Sequence, residues 1–245
     1  MNRKLYSMAV LFFVLLLGAC GGEATTPDGK DPNKKDPNKT ITIPDTVKEA
    51  SSSEVFKTSL KIPGGTEEQI LMGTGIRKKY SIVSVYAMGF YVDPKPAAKA
   101  LAAWKDKKLA EVQKDAKFYE TILNTDFGKG IRLVMVRDVD AETMAEAFAD
   151  SLDKRLKSDE GKKALEAFKK FFDKEMKVKD EIIFGWDAKG ELHTAVNGKV
   201  KGVIKTKELA KALLDVYIGA EPISEDAKNN FAGGLSWVFH KSEGK

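Results

Sequence analysis

Arg77 closes the run Leu71-Met72-Gly73-Thr74-Gly75-Ile76-Arg77, just ahead of the apolar stretch 80–92. If its guanidinium points between a sheet and covering helices, it is a fixed charge against apolar walls, which is costly unless an anion pairs with it. A carboxylate suits that place, because the planar fork meets both oxygens at once. Tyr86, within Val85-Tyr86-Ala87-Met88-Gly89, can then donate a second hydrogen bond from its hydroxyl. The competing reading is a solvated Arg77-Lys78-Lys79 cluster beside a core tyrosine. Residue types alone favour this second reading.

Other chemistry finds little support. Gly73-Thr74-Gly75 lacks the third glycine of a dinucleotide loop, since Lys78 stands there, and it leads into another strand. Glycines easing a tight strand junction are the structural alternative. His193 and His240 are the only histidines and neither has a partner at metal-binding spacing. There is no Gly-x-Ser-x-Gly elbow. The many acidic residues lie among lysines, as in 154–163 and 174–180, which reads as solvated helix surface. The expectation is a site with no metal, no cofactor and no catalytic residue identifiable from spacing.

Elements must position Arg77 and Tyr86. Segments 54–62, 69–76 and 80–92 are rich in Val, Ile, Tyr and Phe between turn residues and are predicted strands. Asp93-Pro94-Lys95-Pro96 stops the third, and 97–104 has helical composition. Strands are expected at 117–124 and 131–137. Asp140 can cap a helix to about 157 with Met144, Phe148 and Leu152 at spacing four. A second helix is expected over 160–176, then strands 181–186, 192–196 and 200–204 with a hairpin at Asn197-Gly198. A helix over 207–218 ending at Gly219 and a last helix from a Ser224 cap to about 240 complete an α+β domain.

The N-terminus speaks to location. Met1-Asn2-Arg3-Lys4 is basic, 5–17 is apolar except for Ser7, and Leu17-Gly18-Ala19-Cys20 follows. That tetrapeptide resembles the lipobox of bacterial lipoproteins, in which cleavage precedes a cysteine that is then acylated. Cys20 is the single cysteine of the chain, so an internal disulfide is excluded. An ordinary signal peptide that happens to contain a cysteine is the alternative. The resemblance implies a signal peptide at 1–19, a lipid anchor at Cys20 and, since Gly21-Gly22 carries no acidic retention signal, the outer membrane facing the periplasm. Residues 20–52 hold an exact repeat, Lys30-Asp31-Pro32-Asn33-Lys34 and Lys35-Asp36-Pro37-Asn38-Lys39, and few large apolar residues, the composition of a disordered tether. The domain is expected over 53–245. The formal charge of +5, or +3 without Arg3 and Lys4, does not argue for nucleic acid.

The runs Gly73-Thr74-Gly75-Ile76-Arg77 and Val85-Tyr86-Ala87-Met88-Gly89-Phe90-Tyr91-Val92 resemble the paired-strand signature of the chalcone isomerase superfamily. Phe118-Tyr119, Glu181-Ile182-Ile183-Phe184, Asn197-Gly198-Lys199-Val200 and Leu213-Leu214-Asp215-Val216-Tyr217-Ile218-Gly219 with Pro222-Ile223-Ser224 follow in family order. The resemblance implies an open-faced β-sandwich, a large antiparallel sheet covered by helices with a ligand cleft between. The superfamily includes enzymes that cyclise a chalcone and non-catalytic members that bind fatty acids. Arg77 falls on the arginine both use. Tyr86 falls where the plant enzymes carry threonine and the fatty-acid binders tyrosine.

The enzymes' helical tyrosine and asparagine fall on Met144 and Ser151, and their Thr or Ser on Val216. No Tyr or Asn occurs from Ala141 to Lys157. The resemblance therefore implies binding of a fatty acid or similar amphipathic small molecule by Arg77 and Tyr86, with Met88, Phe90, Met144, Phe148, Ser151 and Val216 as the expected pocket wall. An isomerase acting on an enone-type substrate, with Arg77 as electrophilic aid, is the alternative, and a purely structural envelope protein a third reading.

Overall fold

The computed structural model describes residues 41–244, so the expected signal peptide, Cys20 and most of the expected tether lie outside the described residues. In chain order the strands are β1 (Thr46–Lys48), β2 (Val55–Lys57), β3 (Ser59–Leu60), β4 (Gln69–Lys79), β5 (Val83–Val92), β6 (Lys129–Met135), β7 (Glu181–Trp186), β8 (Leu192–Val196) and β9 (Lys199–Ile204). The helices are α1 (Pro94–Ala100), α2 (Leu109–Val112), α3 (Ala116–Asn124), α4 (Ala141–Asp153), α5 (Asp159–Lys169), α6 (Lys207–Ile218), α7 (Glu225–Asn230) and α8 (Leu235–Ser242).

Strands β3 to β9 form one antiparallel sheet in sequential order, and β1 pairs with β2 apart from it. Helices enter between β5 and β6, between β6 and β7, and after β9. Side chains alternate across the sheet. Tyr86, Met88, Phe90 and Val92 of β5 therefore face the large core shared with the helices, while Ala87 and Tyr91 join a smaller core with Phe56, Ile62, Leu71 and Val134. This is the α+β, helix-covered antiparallel sheet that the sequence implied.

A bulge in β4 decides what faces the helices. Leu71 pairs with Tyr91 but Gly73 pairs with Phe90, so one residue is extra and the strand changes parity. Beyond the bulge, Gly73, Gly75 and Arg77 pair with Phe90, Met88 and Tyr86 and share their face. A Cβ on Gly73 would stand 2.1 Å from the Asn230 carbonyl oxygen, and one on Gly75 2.3 Å from the Ala227 Cβ. Helix α7 thus rests on bare strand backbone. Gly234 makes the matching approach from the other side, its N–H donating to the Met72 carbonyl at 2.5 Å.

Several expectations are corrected. Segment 117–124, expected as a strand, is helix α3: Asp115 caps it by accepting from the Lys117 N–H, and Phe118, Tyr119 and Ile122 are buried on one face at helical spacing. Its β-prone composition yields to cap and period. The strand expected at 54–62 is two short pieces, because the buried Thr58 turns its hydroxyl to the Pro44 carbonyl between them. Strand β1 lies inside the expected tether, with Val47 opposite Phe56. Tyr80, expected to begin a strand, sits in the β4–β5 turn with φ of 53°. The last helix is broken at Gly233-Gly234, where the chain must touch β4. Helix α5 stops at Lys169, and Met176 instead bridges to Val139.

Gly73→Ala is expected to destabilise the fold by about 1–3 kcal/mol, because α7 or β4 has to move to admit one methyl group. A urea unfolding midpoint unchanged from wild type would show that the close approach does not matter.

Candidate functional site

A cavity of about 610 Å³, within the size range of small-molecule sites, lies where α7 no longer covers the sheet. Its floor is the end of β4 and the start of β5: Arg77, Lys79, Val85 and Tyr86. Its far wall is the 137–140 segment and α4, whose N-terminus is fixed by Asp140 accepting from the Thr143 N–H at 2.8 Å. Met144, Ala147 and Phe148 give that wall an apolar strip, and Val139 and Ile223 extend it. Phe148 is backed by Phe172, Phe184 and Phe168, with ring centroids at 4.8, 5.5 and 5.7 Å. The rim is acidic, with Asp138, Glu146, Asp150 and Glu175. The cavity thus joins a basic end to an apolar strip.

At the basic end, Arg77 stands opposite Tyr86 in the β4–β5 register. Its guanidinium donates to the Lys78 carbonyl and meets no acidic side chain among the described residues. Tyr86 is 5% exposed and Tyr217 of α6 is 1% exposed. Burial pushes both phenols above their ordinary range, and each feels the other's hydroxyl, while the Arg77 charge pulls both down. The two hydroxyls are close enough to interact, yet the Tyr217 hydroxyl completes no hydrogen bond of sound geometry. A guanidinium with no acidic partner among the described residues and two protonated phenols thus gather more donors than the neighbouring Lys78 carbonyl can satisfy. A carboxylate in the cavity supplies acceptors to Arg77 and Tyr86, which line it, while Tyr217 does not line the cavity and stands behind Tyr86.

The family model for chalcone-flavanone isomerase matches residues 52–238. The chain belongs to the chalcone isomerase family. It is 28% identical over 187 residues to fatty-acid-binding protein 1 of Arabidopsis thaliana, covering 71% of this chain and 67% of that one. It is 26% identical over 204 residues to chalcone–flavanone isomerase 2-B of Glycine max, covering 77% and 90%. The crystal structure of an Arabidopsis thaliana fatty-acid binding protein superposes with a TM-score of 0.68 at 25% identity, over 80% of this chain and 99% of that one. Both branches of the family are thus among its relatives.

Of the residues singled out from sequence, Arg77, Tyr86, Met144, Phe148 and Ser151 line the one cavity. Ser151 spends its hydroxyl on the Ala147 carbonyl at 2.8 Å. Met88, Phe90 and Val216 do not reach it. Strand parity does place Met88 and Phe90 on the helix face, but helices fill that part of the cleft, with the Phe231 ring 5.4 Å from that of Phe90. Val216 is likewise packed in the core. The residue that sequence reasoning missed is Tyr217. Its signal is a hydroxyl in the apolar run Leu213-Leu214-Asp215-Val216-Tyr217-Ile218, where nothing local can satisfy it.

Tyr217→Phe is expected to leave the ligand-free protein as stable as wild type or to stabilise it by up to about 1–3 kcal/mol, since an unbonded buried hydroxyl is removed. A lowered melting temperature would mean that the hydroxyl is bonded after all.

Proposed function

We propose that this protein binds a fatty acid or a similar amphipathic carboxylate, its head group at Arg77 and Tyr86, with Tyr217 behind Tyr86, and its tail along Val85, Met144, Ala147 and Phe148. The observation that carries this reading is the guanidinium of Arg77 in a cavity wall with no acidic partner among the described residues, beside two buried phenols. The similarity to proteins named for fatty-acid binding supports the same reading. The lipobox-like Leu17-Gly18-Ala19-Cys20 supports placing the domain at a bacterial membrane surface through an acylated Cys20, with the outer membrane favoured by Gly21-Gly22.

The similarity to the Glycine max isomerase over 90% of its length supports a second reading, isomerisation of an enone-type substrate with Arg77 polarising the carbonyl. Turnover of a chalcone at saturating concentration, abolished by Arg77→Ala, would establish it.

Native mass spectrometry of the protein purified from its own host, with extraction of whatever is bound, tests the first reading. A fatty acid is expected in the wild type. Arg77→Ala is expected to weaken it by about 10- to 100-fold, the loss of a charge-assisted hydrogen-bonded pair. An empty wild-type cavity that also refuses added fatty acids would overturn the proposal.

A further inference from the structure

The β4–β5 hairpin runs on past the strand beside it. The last links from β5 to β6 are the Tyr86–Met135 pair and the bond from the Val136 N–H to the Val85 carbonyl, so residues 78–84 project as a two-stranded finger. Its turn is closed by the Ile82 N–H on the Lys79 carbonyl at 3.3 Å. Tyr80 and Ser81 at its centre hold φ of 53° and 61°, the left-handed region that residues other than glycine adopt at a cost. On this strained turn, Tyr80 and Ile82 are each 80% exposed, and neither belongs to a core cluster. The Lys79 ammonium stands over the Tyr80 ring, 5.4 Å from its centroid, and no core cluster among the described residues takes in either side chain.

The finger's own charge is of one sign, while Glu49, Glu225 and Asp226 border Lys78 and Ser81 in a neighbouring groove. Lys78 and Lys79 are exposed, Arg77 follows behind, and none of the three is paired with a described acid. Of the four rim acids, Lys177 holds Asp138 at 3.2 Å and Glu175 at 2.6 Å, while Glu146 and Asp150 belong to α4 and not to the finger. Tyrosine with its apolar ring and polar tip favours the membrane interface, and lysine stems can lie along apolar surface with their charge in the head-group layer. Two side chains on one turn are far too little for a stable protein interface, which needs about 800 Å² from each partner. They are enough to dip into lipid.

We propose that this finger is a bilayer contact: Tyr80 and Ile82 enter the interfacial layer of a phospholipid membrane while Lys78 and Lys79 lie among anionic head groups. Lys79 of the finger and Val85 at its base border the cavity, so the contact holds the cavity mouth against the lipid. A ligand leaving the leaflet then passes along the finger to Arg77. That loading role rests on the fatty-acid reading; the contact itself does not.

The test uses the full chain in vesicles of mixed phosphatidylcholine and phosphatidylglycerol with brominated acyl chains. The added emission of a Tyr80→Trp variant is expected to shift to the blue and to be quenched by bromine. A Lys189→Trp variant should remain unquenched, since the turn after β7 lies at the opposite end of the sheet, where Trp186 pairs with Lys129. Equal, water-like emission from both variants would overturn the contact. In a second arm, a fluorescent fatty acid is offered from donor vesicles. Replacing Tyr80 and Ile82 together by serine is expected to slow its transfer about 10-fold or more, the cost of two partly buried apolar side chains, with unchanged affinity for ligand supplied in solution. Transfer as fast as in wild type would overturn the loading role. Quenching with no fatty acid taken up from any source would leave the contact standing and sink the fatty-acid reading instead.

Discussion

The close approach of α7 and the 233–234 segment to β4 sets the geometry of everything around the cavity. Where β4 presents Gly73 and Gly75 to the helix face, the helix lies on the backbone itself, with no room for one methyl group. Where β4 next presents a side chain on that face, at Arg77, the helix has ended and the cleft opens. The size of alternate side chains along one strand therefore decides where the sheet is covered and where it is not. The bulge between Leu71 and Gly73 makes this possible, because without it the glycines would face the small core and Arg77 would point away from Tyr86.

That arrangement explains how much of the molecule could be read from the chain. Helix α6 has the expected bounds because Leu209, Leu213 and Leu214 repeat at helical period and Gly219 follows. The β8–β9 hairpin falls at Asn197-Gly198, whose φ values of 49° and 73° are those such a turn needs. Both signals are local. Helix α3 escaped because Phe, Tyr, Thr and Ile favour strands on average, and the cap on Asp115 is a single atom's contribution. The break at Gly233-Gly234 escaped for a different reason: it exists to meet the Met72 carbonyl, far away in sequence.

The site divides the same way. Arg77 and Tyr86 come together as cross-strand neighbours, a pairing that the resemblance of the two strand motifs implied and that residue types alone did not favour. Met144 and Phe148 were legible from helical spacing. Tyr217 was not, since the angle at which α6 crosses the sheet is set by packing and not by any local pattern. The same limit misled the choice of Met88 and Phe90: parity says which face a strand residue occupies, but not whether a helix has already filled the space above it.

The electrostatics of the three groups bear on what the cavity can do. A phenol pushed above its usual range by burial stays protonated at neutral pH and acts as a hydrogen-bond donor; to serve as a general base it would first have to lose a proton into an apolar setting. Arg77 adds a permanent positive charge and more donors. Such a set stabilises negative charge wherever it meets it. On a carboxylate that charge is present from the start, and the stabilisation appears as affinity. On an enone it would develop only as the reaction proceeds, and the stabilisation would appear as rate. The three groups are therefore compatible with either chemistry, and catalysis would further require a group in the cavity that removes a proton or holds a nucleophile. Here α4 presents the apolar strip of Met144, Ala147 and Phe148, which offers a place for an alkyl chain, and beside it the carboxylates of Glu146 and Asp150, which are the groups a proton-removing role would have to use.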